Sequence, residues 1–337
     1  MKGKYIYHPV KNFGINSFRI KTLLIFILVL NTGLIYPQHQ IPRISITIDD
    51  PTADSADVLS WHQKNGKLLK TLQKYNIKAA LFVCGKRINS IDGFKLLDEW
   101  NNSGHMICNH SYSHSYFHSK KINAEIFKND FLKCDSIIKK YSGYTKLFRF
   151  PYLKEGDTKE KRDEFRQFLF NTGYRNGSVT IDASDWYVSS RMCDTLNINK
   201  DFDITPFKQY YIEHIYSRAL FYDSLAFQLT GRKINHTLLL HYNVLNAMFL
   251  DDLIVHFISK GWEIINADDA FSDEIFSSQP DILPAGESLV WALAKETGKF
   301  DNILRYPGED SFYEETGLNE FLFNYYSKKN INNSRKK

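Results

Sequence analysis

Arg43-Ile44-Ser45-Ile46-Thr47-Ile48-Asp49-Asp50 places an isoleucine at every second position and then ends on two carboxylates. Period-two alternation of β-branched residues reads as a buried strand with its acids at the C-terminal tip. The pattern then repeats along the chain. A helix is expected around 58–75, a strand over 79–84, a helix around 93–103 stopped by Gly104, and a short strand over 105–108. A helix around 124–141, a strand near 147–150, a helix at about 158–173 and a strand around 178–182 follow. Residues 187–235 are longer than a crossover needs and read as mostly helical. A strand over 236–241, a helix over 247–260 stopped by Gly261 and a strand over 262–267 complete the series. Strand and helix alternating in this way imply a parallel sheet, open or closed into a barrel. Asp49, Asp50, His110, His114, Arg149, Asp182, Asp185 and His241 all fall at or just after the C-terminal ends of these strands. A barrel gathers those ends into one place, whereas an open sheet spreads them, so the recurrence points to a barrel with one site.

Composition is that of a globular body, 43% hydrophobic and 24% charged. The formal net charge is +5, but ten of the 43 basic residues lie in two acid-free tails, 1–36 and 328–337. The remainder is net negative and gives no electrostatic case for nucleic acid. Lys2 through Lys21 form a basic region, and Leu23–Leu30 an apolar core fading to Tyr36. That run suits an export signal and is short for a membrane span. No A-x-A-like site precedes Pro37, so a cleaved signal peptide and an uncleaved anchor over 1–37 both stand. The protein is therefore expected to be exported: periplasmic, secreted or anchored facing outward. Cys84, Cys108, Cys134 and Cys193 show no metal-ligand spacing, and Cys84 and Cys108, ending apolar runs, read as buried free thiols.

His110 and His114 are four residues apart, a spacing that on a helix puts both imidazoles on one face. Two histidines make an incomplete site, and Asp50 is the natural third ligand for a divalent ion. Asp49, at what reads as a frayed strand tip, could reach the same site as a general base. Taken alone, an Asp-Asp pair after a strand also reads as a turn or helix cap. His241 ends an otherwise apolar strand, and Asp182 or Asp185 could hydrogen-bond it and keep it protonated. Arg149-Phe150-Pro151-Tyr152 puts a cation and a rigid turn at another strand end.

Thr47 through Asp50, His110 through His114, Arg149 through Tyr152, Asp182 through Trp186, and Leu239-Leu240-His241 together resemble the five ordered motifs of the polysaccharide deacetylase (NodB-homology) family, carbohydrate esterase family four. The resemblance runs over roughly residues 43–270. It implies a distorted (β/α)7 TIM-like barrel. It implies Asp49 as catalytic base, with Asp50, His110 and His114 holding one divalent ion, Zn²⁺ in the first place and Co²⁺ or Ni²⁺ as alternatives. It implies that Arg149 orients Asp49, that the Tyr152 backbone N–H stabilises an oxyanion, and that Asp185 tunes His241 as general acid. Trp186, Leu239 and Pro151 would contact the substrate. Pro51 stands where the family often has glycine after the second aspartate, and Leu153 where glycine is frequent after the tyrosine.

The expected organisation is a signal or anchor over 1–37, a barrel over 41–272 with a helical insertion at 187–235 forming a cover or wall, a C-terminal helical extension over 273–327 and a basic tail over 328–337. The extension is expected to be strand-free around 281–295 and is assigned no chemistry. The function implied is removal of N- or O-linked acetyl groups from an extracytoplasmic polysaccharide. The partner is an acetylated carbohydrate, and a membrane only through an uncleaved anchor. Two other readings stand beside it: an amidohydrolase with the same site acting on a small non-sugar amide or imide, and a catalytically silent glycan-binding protein.

Overall fold

The computed structural model describes residues 41–54, 58–304 and 311–334. The expected signal or anchor at 1–37 and the end of the basic tail lie outside the described residues. The centre of the fold is β1 (Arg43–Asp49). Successive side chains of a strand point to opposite faces. Ile44, Ile46 and Ile48 form one set, and Ser45, Thr47 and Asp49 the other; both are buried. The polar set is satisfied sideways. Ser45 Oγ donates to His236 O at 3.2 Å and Thr47 Oγ1 to Leu238 O at 2.7 Å.

All strands of the main sheet run parallel. On one side of β1 come β2 (Ala80–Val83), β3 (Met106–Asn109), β4 (Tyr144–Phe148) and the two-residue β6 (Arg175–Asn176). On the other side β7 (Asn235–His241) pairs with β1 over seven residues, so that Asp49 lies opposite His241. β8 (Glu263–Ile265) pairs with the first three residues of β1. The expected strand at 178–182 is not a regular strand. Instead, the segment from 175 onward leaves one edge of the sheet and joins the other. Gly177 N donates to Phe148 O at 2.7 Å on the β4 side. Ile181 then bridges Leu238, with Ile181 N on Thr237 O at 3.1 Å and Leu239 N on Ile181 O at 3.0 Å. One crossing segment thereby closes the curved sheet into a distorted barrel. Gly177 is needed at the crossing, because a Cβ there would lie 2.4 Å from the Phe82 ring.

The crossover helices start and stop on local signals. α1 (Trp61–Lys74) opens with a reciprocal cap between Ser60 and Gln63. Next come the single turn α2 (Gly85–Ile88), α3 (Ile91–Asn102), α4 (Ala124–Ile138) and α5 (Lys159–Asn171), the last three capped by Ser90, Asn123 and Thr158. The insertion forms α6 (Asp185–Ile198) and α7 (Thr205–Thr230), and α8 (Val244–Ser259) follows β7. α7 buries Phe207, Tyr211, Ile215, Ala219, Tyr222 and Leu225 in the main core. The expectation that this insertion covers the groove is corrected: none of residues 187–235 lines the cleft described below. A helix with this much apolar surface is held as core rather than lid.

The C-terminal region is not strand-free. After α9 (Ala267–Phe271) the chain forms β9 (Ala285–Gly286), antiparallel to β5 (Lys154–Gly156), then α10 (Leu289–Thr297) and α11 (Ser311–Ser334). α11 docks through Glu314, which is buried. Its carboxylate accepts from Arg218 Nη2 at 2.6 Å and Ser184 Oγ at 3.2 Å and lies 3.3 Å from His214 Nδ1. Cys84, Cys108, Cys134 and Cys193 are free thiols, and all but Cys193 are buried. Among the described residues no helix is long and apolar enough to cross a membrane.

Candidate active site

A cleft of about 410 Å³ opens at the C-terminal ends of the strands. It is lined by Asp49, Asp50, His110, His114, Asp182 and His241, with Tyr152, Trp186 and Leu239 on its walls. Pro151 is buried and is not among the lining residues; its neighbours Phe150, Tyr152 and Leu153 are.

Asp49 is not at a frayed tip. It is 2% exposed and paired on both sides, with Phe82 and with His241. Asp50 reaches the same cleft because the chain kinks there into the left-handed region, φ 60°, while its N–H donates to Phe82 O at 3.1 Å. The His110–His114 pair is likewise not helical. It lies on the loop after β3, and two left-handed residues, Ser111 (φ 63°) and His114 (φ 56°), fold the loop back. Asn109 Oδ1 and Ser111 Oγ hold that turn by accepting from Ser111 N and His114 N. Tyr152 (φ 57°), Leu153 (φ 59°) and Glu287 (φ 76°), all lining the cleft, are also left-handed. Side chains other than glycine seldom adopt this conformation, and its concentration at one cleft marks a site where geometry is imposed by the surroundings.

Asp50, His110 and His114 each offer a ligand atom, and these atoms lie within 4.8 Å of one another. His110 Nδ1 is 2.8 Å from Arg149 O. Donation to that carbonyl leaves Nε2 as the lone-pair nitrogen. Burial is the main cause that pushes the His110 pKa down to about 3, and burial also lowers that of His114, so both rings are neutral near pH 7. Asp50 Oδ1 accepts no hydrogen bond among the described residues, although Arg87 Nε is 3.4 Å away. Two neutral imidazoles and a carboxylate are the donor set of a divalent first-row ion with an open position.

Arg149 is fully buried. Its Nη1 donates to Asp49 Oδ1 at 2.5 Å and Thr47 Oγ1 at 3.0 Å, its Nε to Gly177 O at 2.8 Å, and its guanidinium lies 3.7 Å from the centre of the Phe82 ring. Burial raises the Asp49 pKa; the Arg149 charge opposes this without cancelling it. On the opposite wall Asp185, at the first turn of α6, is completely buried and acts only as an acceptor. Its Oδ1 lies 2.8 Å from His241 Nδ1, and its Oδ2 accepts from His241 N, Asn243 Nδ2 and Asn246 Nδ2 at 2.9, 2.7 and 2.6 Å. Burial works against a charged His241, but the Asp185 carboxylate, with Asp49 and Asp50 beyond it, outweighs burial and holds the imidazolium up to about 9. Of the two acids the sequence offered, Asp185 takes His241, and Asp182 lines the cleft.

Four residues of the site were not singled out from the sequence. Asn243 follows β7 and caps α8 by accepting from Asn246 N, and an asparagine at a helix start is a readable signal. Arg87 lies in the single turn α2 that follows β2. Glu287 had no local signal at all.

These are the fold and side chains of a parallel barrel carrying a candidate metal triad between two further ionisable groups. Residues 37–175 match the model of the polysaccharide deacetylase family. A peptidoglycan-N-acetylglucosamine deacetylase of Bacillus cereus is 32% identical over 121 residues, 36% of this chain and 40% of that protein. A bifunctional xylanase/deacetylase of Pseudobutyrivibrio xylanivorans is 29% identical over 164 residues, 48% of this chain and 24% of that protein. The matches thus span less than half the length of either relative. Among solved structures, a peptidoglycan N-acetylglucosamine deacetylase in complex with an N-hydroxybenzamide shows 18% identity and a TM-score of 0.48, covering 69% of this chain and 90% of that one.

Proposed function

We propose that this chain is a metal-dependent hydrolase that removes acetyl groups, N- or O-linked, from an acetylated carbohydrate outside the cytoplasm. The observation that carries this is the facing pair Asp49 and His241, on paired positions of β1 and β7, beside the Asp50–His110–His114 triad in one cleft. Both relatives are named as deacetylases, one of them of peptidoglycan N-acetylglucosamine, which supports the reaction class. The basic and apolar run at 2–36 supports export.

The triad residues Asp50, His110 and His114 would hold one divalent ion, Zn²⁺ first. When bound there, the ion would polarise the acyl carbonyl and lower the pKa of water. Asp49, steadied by Arg149 through Oδ1, takes the proton of the attacking water; a carboxyl raised by burial is the stronger base. The Tyr152 N–H, at a left-handed residue on the cleft wall, would hold the developing oxyanion. His241, kept protonated by Asp185, gives its Nε2 proton to the leaving amine or alcohol as the C–N or C–O bond breaks. Trp186 and Leu239 wall the acyl group. The barrel body over 41–272 carries all of these groups.

The test is acetate release from a panel of acetylated glycans by the Zn²⁺- or Co²⁺-loaded protein, with Asp49→Asn in parallel. Release that disappears in the variant and with a chelator is expected. Absence of both metal binding and release would sink the reading.

A further inference from the structure

Arg87 is the only arginine or lysine among the described residues that line the cleft. It stands in α2, a single turn that the fold ties to the loop bearing His110 and His114. Gly85 N donates to Ser111 O at 3.0 Å and Lys86 N to Tyr112 O at 2.7 Å. The two segments lie so close that a Cβ on Gly85 would meet the Tyr112 ring at 2.8 Å. Ile88, the next residue, is fully buried and anchors the far end of the turn. Arg87 therefore springs from fixed backbone, while its side chain is 43% exposed. Its acidic neighbour is Asp50, with Nε making the closest approach to Oδ1 at 3.4 Å. A charge-assisted hydrogen bond would be about 2.7–2.9 Å, and Asp50 Oδ1 accepts no hydrogen bond among the described residues. Asp50 is also one of the three residues grouped for an ion. The cleft wall thus carries a permanent cation held in place by its backbone and only loosely paired.

We propose that Arg87 is a substrate-contacting, specificity-determining residue that binds a carboxylate carried by the glycan, at or beside the acetylated sugar. The proposal rests on the hydrolase reading above and adds that the polysaccharide is acidic. A guanidinium is charged at every working pH, and its planar fork of donors matches a carboxylate through two parallel hydrogen bonds. Asp50 is the competing claimant, but its side chain is only 11% exposed, so Arg87 keeps ligand-accessible surface that Asp50 lacks. Two kinds of glycan supply the chemistry: one with uronic-acid rings, and one whose amino sugar carries an acidic ether substituent.

The experiment uses the full, metal-loaded chain. kcat/KM is measured for three acetylated oligosaccharides of equal length: a neutral N-acetylglucosamine oligomer, the same oligomer bearing a carboxyethyl ether, and one alternating N-acetylglucosamine with glucuronic acid. The proteins are the native chain, Arg87→Gln and Arg87→Lys. Calorimetry measures binding of the acidic oligomers to Asp49→Asn with and without Arg87→Gln, and Zn²⁺ affinity of the native chain and Arg87→Gln. The acidic-to-neutral ratio is expected to fall about tenfold or more in Arg87→Gln for at least one acidic oligomer, the scale of a lost hydrogen bond between charged groups. Whichever acidic oligomer shows the fall names the source of the carboxylate. Arg87→Lys recovers only part, because an ammonium lacks the fork. Rates on neutral and acidic oligomers that fall together, or a lowered Zn²⁺ affinity with the ratio unchanged, would make Arg87 a partner of Asp50 only and overturn the proposal. If no oligomer releases acetate, the hydrolase reading fails by itself. Calorimetry still decides Arg87: weaker binding of an acidic oligomer in the double variant supports it, and equal or absent binding in both overturns it.

Discussion

Asp185→Asn isolates the interaction that holds His241 charged. Oδ2 of Asp185 faces three N–H donors, from His241 N, Asn243 and Asn246. An asparagine must keep its oxygen there, which turns its NH₂ toward His241 Nδ1, where the imidazole N–H now points. The ring must then become an acceptor at Nδ1, and the charged form loses its main support. With burial the largest influence remaining, the pKa falls from about 9 to the ordinary 6.5 or below. A fall of that size corresponds to about 3 kcal/mol. At pH 7 the ring goes from almost fully protonated to about a quarter or less. The sign for stability follows from linkage. A pKa raised on folding contributes stability that is complete below about pH 6.5 and is lost as the pH rises through about 9. The native protein should therefore lose up to about 3 kcal/mol relative to Asp185→Asn between those limits. Urea unfolding of both proteins across pH 6–10, with NMR titration of the His241 ring in the metal-free protein, makes the comparison. Parallel stability curves, or a native His241 titrating near 6.5, would refute the reasoning.

Three further outcomes are expected. Arg149→Met leaves Asp49 buried without its partner and should cost about 3–5 kcal/mol in urea unfolding. Arg149→Lys should recover only part of this, since one ammonium cannot serve Thr47, Asp49 and Gly177 together. Zn²⁺ at a hundredfold excess over its Kd should raise unfolding stability by about 2.7 kcal/mol; a chelator should reverse the gain, and His110→Ala should abolish it. Glu314→Ala strips Arg218 of a buried counter-charge and should cost about 3–5 kcal/mol. Differential scanning calorimetry measures it, and a change under 1 kcal/mol would show the cluster to be solvated.

The alternation of elements was legible because strands such as β1 and β7 are buried along almost their whole length and the helices carry local caps. The residues of the cleft were legible because they recur at strand ends. Their route into the cleft was not. Asp50, Ser111 and His114 reach it through left-handed turns that their residue types do not announce, so a strand tip and a helix stood in for them. The expected strand at 178–182 failed because the chain leaves β4 at Gly177 and meets β7 only around Thr180 and Ile181, as an isolated bridge rather than a ladder, and such a crossing has no periodic signature. Glu287 and Glu314 depend on partners more than ninety residues away in the chain, Lys154 and Arg218, which no local pattern encodes.

The crossing segment also divides the barrel mechanically. The seven-residue ladder between β1 and β7 acts as a spine, and Asp49 and His241 sit together at its top. The closure at 177–181 rests on a handful of hydrogen bonds and acts as a clasp. Loosening the clasp would let β3 and β4, with His110, His114 and Arg149 at their ends, swing relative to His241 while the spine keeps Asp49 and His241 in register. Such loosening would widen the cleft without separating Asp49 from His241.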